Sequence, residues 1–152
     1  MRIEIQKGNS RNLLRCIRRD NSTEVADLGP SLPYHDIAHF VVETEMSFYR
    51  GFYGNIQAGM SIAELNDKEV IKGLPGESWL AEIMTRNLQA IASGAAKAEE
   101  YIELVSWEIS TMNGVEAVAL HRGNIERMFE RYLAYIKQWK KMAEGEVMVL
   151  EF

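Results

Sequence analysis

The sequence predicts an α+β domain: a small, mainly antiparallel sheet packed against a layer of helices. Two observations carry this prediction. Apolar residues alternate at period two at both ends of the chain, and they recur at helical spacing between those ends. A chain that opens and closes on strands is expected to bring the last strand into the sheet begun by the first.

At the N-terminus, Ile3 and Ile5 share one face, with Arg2, Glu4 and Gln6 on the other, which is the pattern of a half-buried strand. Gly8-Asn9-Ser10 breaks it. A second strand is expected over Leu13 to Arg19, a turn at Asp20-Asn21-Ser22, and a third strand over Thr23 to Leu28, making a hairpin. Gly29-Pro30-Ser31-Leu32-Pro33 fits neither a strand nor a helix interior and forms a rigid passage. A helix then runs from Tyr34 to about Tyr49, turning Ile37, Phe40 and Val41 inward.

Gly51, Gly54 and Gly59 punctuate a shorter segment, a short helix starts near Ser61, and residues 72–76 form a loop. Trp79, Leu80, Ile83, Met84, Leu88 and Ile91 mark a helix over Glu77 to Ser93, ended by Gly94. A further helix is expected from Ala95 to about Met112. The last helix carries Ile125, Met128, Phe129, Tyr132, Leu133, Ile136 and Trp139 at i, i+3, i+4 spacing, with Asn124 as its N-cap. After Gly145 the period returns to two, with Met148, Leu150 and Phe152 on one face.

A length of 152 residues fits one domain, 1–152, with a core that needs no staples. The formal charge of −5 argues against nucleic acid as a partner, since phosphate backbones are repelled without a local basic stripe. The basic clusters Arg15 to Arg19 and Lys137 to Lys141 read as solvated faces. Cys16 is the single cysteine, so no intramolecular disulfide forms, and it reads as a small core residue. No run reaches the ~18 apolar residues of a membrane span, and the first residues lack an apolar leader. A cytoplasmic protein without a membrane partner is the expectation. A small-molecule ligand stays open, and oligomeric state is not legible.

The residues that could carry chemistry are His35, Asp36, His39 and Glu43. Spacings of four keep His35, His39 and Glu43 within roughly 80° of one helix face. Histidines at i and i+4 can present their imidazoles to one divalent ion, and neutral imidazoles favour zinc or another transition metal over calcium. Glu43 lies ~12 Å along the axis from His35, so it can reach His39 or a bound water more readily than share an ion with His35. Asp36 and Glu43 are then the candidates for general base or for support of the ligands. A third ligand must come from elsewhere, and His121 is the one other histidine. The second reading needs no metal: His39 is a core histidine held by Glu43 or Asp36 in a structural polar network, and the protein is a non-enzymatic ligand-binding or interaction domain.

Three motif resemblances meet here. His35-Asp36-Ile37-Ala38-His39 is similar to the zincin motif His-Glu-x-x-His, with Asp36 one methylene shorter than the glutamate that serves there as general base. The same residues resemble the core of the HD phosphohydrolases, which also need an earlier histidine, and none precedes His35. Gly51-Phe52-Tyr53-Gly54 has the outline of a nucleic-acid-binding Gly-x-x-Gly loop, but its apolar neighbours point to close helix packing.

A broader likeness covers most of the chain. The hairpin, Leu28-Gly29-Pro30, the stretch from His35 to Glu43, Gly51 to Gly54, Trp139, Gly145-Glu146 and Leu150-Glu151-Phe152 together resemble a group of small bacterial proteins with no assigned activity. That resemblance singles out the His-Asp-x-x-His helix and implies no reaction.

Overall fold

A computed structural model describes residues 1–152 and has the expected α+β architecture. Four strands, β1 (Arg2–Gln6), β2 (Asn12–Ile17), β3 (Thr23–Gly29) and β4 (Val147–Glu151), form one antiparallel sheet in the order β3-β2-β1-β4. The C-terminal strand pairs with the N-terminal one, as the terminal alternation predicts. In the register, Ile3 faces Cys16 on one side and Leu150 on the other, and Ile5 faces Leu14 and Met148. All six are buried, so one face of the sheet is a continuous apolar layer.

Seven α-helices complete the fold: α1 (Leu32–Met46), α2 (Phe52–Gln57), α3 (Ile62–Leu65), α4 (Lys68–Lys72), α5 (Gly76–Ala92), α6 (Tyr101–Ser110) and α7 (Arg122–Lys141). The first is central. Its residues Asp36 to Glu43 are buried without interruption, because it packs against both α5 and α7 and so has no free face over that stretch. Gly29 enters the left-handed region (φ 56) to turn the chain out of β3, and Pro33 occupies the first turn of α1. Unlike the expected extent to Tyr49, α1 stops at Met46: Ser47 adopts φ 54, and the Phe48 N–H closes onto the Glu43 carbonyl.

Three other boundaries shift for local reasons. The helix expected from Ala95 contracts to α6 behind a single 3-10 turn at Ala98–Glu100, where Lys97 and Glu100 form the cap. His121, not Asn124, is the N-cap position of α7, and the Asn124 amide instead reaches Glu45 on α1. In β2 the strand ends at Ile17, because the Arg18 N–H and carbonyl close the turn with Ser22 and Asn21; the Arg18 side chain donates to the carbonyls of Ile56 and Met60 and pairs with Glu24. That residue of the basic N-terminal cluster is therefore structural. At the other end of α7, Lys7 donates to the carbonyls of Trp139 and Met142 at 2.9 and 2.7 Å, supplying a cation to the negative end of that helix dipole. No helix is long and apolar enough to cross a membrane.

Candidate metal centre

Buried apolar packing fixes α1, and with it the two histidines one turn apart. Their rings meet edge to face with centroids 4.7 Å apart. Both turn Nε2 toward the same point, 3.2 Å from each other, and a carboxylate oxygen from a different helix joins them. Glu82 on α5 places Oε2 3.1 Å from His39 Nε2 and 3.5 Å from His35 Nε2. These three form the chain's group of converging metal-ligating atoms. His121 is exposed at the head of α7 and takes no part; Glu82 is the third member.

The triangle has the dimensions of a metal site. Ligands about 2.0–2.1 Å from a tetrahedral ion lie roughly 3.3 Å apart, the size of the edges observed here. A point at that distance from all three atoms stands roughly 0.8 Å out of their plane, as it does in a tetrahedral centre with a fourth position open. The donor set, two imidazoles and one carboxylate, suits zinc or another divalent transition ion.

The far side of each histidine is also committed. His35 Nδ1 lies 2.9 Å from Gln89 Oε1, an oxygen that can only accept, so Nδ1 carries the proton and Nε2 presents a lone pair. His39 Nδ1 donates to Glu43 Oε1 at 3.1 Å. Such partners on the remote ring nitrogen orient ligating histidines and raise their basicity. With both rings in this tautomer, two lone pairs and a carboxylate face one another, which is repulsive unless a positive charge lies among them. A proton on His39 supplies that charge. Burial alone would lower the His39 pKa, but hydrogen bonds to Glu43 and Glu82 prevail and raise it to about 9. Glu82, although burial opposes it, is held well below the usual carboxylate range by the two histidines.

Glu43 is completely enclosed. Beyond His39, its Oε1 accepts from the Tyr53 N–H at 3.3 Å and its Oε2 from the Gly54 N–H at 3.0 Å, so it closes the first turn of α2 from outside. Gly51, just before that turn, has room for no side chain because Glu43 fills the space, and Gly54 lies against the Tyr49 backbone. The Gly-x-x-Gly segment thus serves close helix packing. With its oxygens taken up internally, Glu43 orients His39 and does not line the cavity beside the site.

Asp36 is placed differently. It is buried and lines that cavity, its Oδ2 meets no donor, and burial pushes its carboxyl up to about 6 against the pull of His39 and His35. The cavity, about 340 Å³, also takes its wall from His35, His39 and Glu82, with Phe52 packed 5.6 Å from the His39 ring. Tyr34 and Tyr53, neighbours of the motif in sequence, do not line it: the Tyr34 carbonyl accepts from Tyr132, and Tyr53 is fully buried in the core. Cys16 is enclosed under the sheet with its thiol pushed up to about 12 by burial, which leaves it inert as a nucleophile. No protein-family model, curated protein or solved structure matches the chain.

Proposed function

We propose that this protein binds one divalent transition-metal ion, zinc being the best fit, through His35 Nε2, His39 Nε2 and Glu82 Oε2. The observation that carries the proposal is the triangle of donor atoms with edges of 3.1–3.5 Å, drawn from two helices and backed by Gln89 and Glu43. Three protein ligands and an open fourth position are the arrangement of zinc centres that act on a bound water, whose pKa such an ion lowers toward neutrality. Asp36, the cavity carboxylate whose Oδ2 has no donor, is the group suited to take a proton there. Glu43 is a positioning residue for His39.

The second reading, a structural polar network without metal, has its own support: a doubly protonated His39 already satisfies Glu43 on one side and Glu82 on the other. The two readings separate at Glu82, which is partly exposed. Tag-free protein should carry close to one equivalent of a transition ion, and Glu82→Gln should lower zinc affinity at least about tenfold while the fold persists. Protein that purifies metal-free, takes up no added zinc, and keeps the same unfolding temperature with zinc or with chelator would overturn the metal reading.

A further inference from the structure

The cavity beside the triad has a composition that selects its occupant. Its volume of about 340 Å³ lies in the range of small-molecule sites. Of its 18 lining residues ten are hydrophobic, among them Leu28 from β3, Leu32 from α1, Phe52 from α2, and Leu65 and Leu74 from the segments flanking α4. The charged residues of the wall other than the histidines are Asp27, Asp36 and Glu82, and no lysine or arginine lines it. Arg11 pairs with Asp27 and Arg86 with Glu82 from outside the lining. An anionic group on a ligand would therefore find no cation but the metal, while facing Asp27 and Asp36.

We propose that the cavity takes a small uncharged molecule with an oxygen-bearing head and an apolar body. The head lies against the ion held by His35, His39 and Glu82, and the body runs along the Leu28, Leu32, Phe52 and Leu74 wall. This rests on the metal reading. It points away from phosphorylated or multiply anionic substrates, because the wall offers such groups a low-dielectric surface and like charge.

Cobalt-loaded protein supplies the test, since its visible spectrum reports any ligand that reaches the ion. Metal uptake is measured first, so that failure of the metal centre is seen by itself. Three probes share one metal-binding head: acetohydroxamate, octanohydroxamate, and the monohydroxamate of suberate, which ends the same chain in a carboxylate. Each buried methylene tightens binding about fourfold, so burying half of the six additional ones makes octanohydroxamate bind about sixtyfold tighter than acetohydroxamate. The suberate probe should lose most of that gain, and Leu74→Glu should weaken octanohydroxamate while leaving acetohydroxamate and cobalt uptake unchanged. Equal affinity of the acetyl and octanoyl probes on cobalt-loaded protein would overturn the proposal and leave the metal site standing. A suberate probe as tight as the octanoyl one would overturn the exclusion of anions. Failure to take up cobalt would overturn both readings together.

Discussion

Replacing Gly51 by alanine tests whether the packing around Glu43 governs the site. The backbone there is extended (φ −73, ψ −167), which any residue adopts, so the whole effect is steric. An added Cβ would sit 2.5 Å from Glu43 Oε2 and 2.6 Å from Glu43 Cγ. The carboxylate has nowhere to go: its side chain is fully enclosed and tied to His39 and to the Tyr53 and Gly54 amides. Overpacking of this kind costs about 1–3 kcal/mol, and weakening hydrogen bonds to a buried charge adds a comparable amount. A total of about 3 kcal/mol lowers the unfolding temperature of a chain this size by roughly 6–12 °C. Because His39 loses its orienting partner, zinc affinity should fall about 10- to 100-fold. Calorimetry in chelator reads the first effect, and competition with a chromophoric chelator the second. Gly123→Ala on α7, where the nearest atom is the flexible Arg127 guanidinium at 3.4 Å, is the control: it should leave zinc affinity unchanged and, as a Gly→Ala change within a helix, should not lower the unfolding temperature. If Gly51→Ala keeps its unfolding temperature within about 1 °C and its zinc affinity within twofold, packing at Gly51 does not govern the site.

Two further outcomes follow from the same structure. Deleting Val147 to Phe152 removes β4 and uncovers β1 at Ile3 and Ile5, where Met148 and Leu150 now pack; most of a stability of ~5–15 kcal/mol should go, and an unchanged thermal transition would mark the strand as dispensable. The metal-free and metal-loaded proteins should respond oppositely to pH. His39 is raised from 6.5 to about 9 by folding, so the stability it contributes without metal is complete below about 6.5 and is lost as pH rises through 9. On the proposed metal reading zinc must displace that same proton, so its apparent affinity should climb up to about tenfold per unit over this interval and level off above it. Parallel pH profiles for the two forms would refute the shared use of His39.

Much of the fold was legible because its signals are local. Alternation of Ile3 and Ile5, and of Met148 and Leu150, sufficed for the sheet and its closure, and the spacing from Ile125 to Trp139 for α7. Boundaries were less so, since Ser47 ends α1 through a left-handed conformation that its residue type does not announce. At the site, His35 and His39 were readable from one helix's geometry, as was the reach of Glu43 to His39. Glu82 was not, because its contribution depends on how α5 crosses α1, which no local pattern encodes. A trace does exist: Glu82 and Gln89 are seven residues apart, hence on one face of α5, beside its buried apolar positions. Two such polar residues bordering a core face gain meaning once a helix carrying His35 and His39 is laid against them.

The carboxylate of Glu43 has two audiences. It addresses His39 with one oxygen and, through both, the amides that open α2, so any change in charge at the imidazole is felt by backbone groups that touch no ligand. Tyr53 and Gly54 can therefore act as built-in reporters. Their amide resonances and exchange rates should register occupancy at His39 from inside the core, and would follow loading of the site without a chromophore or a known substrate.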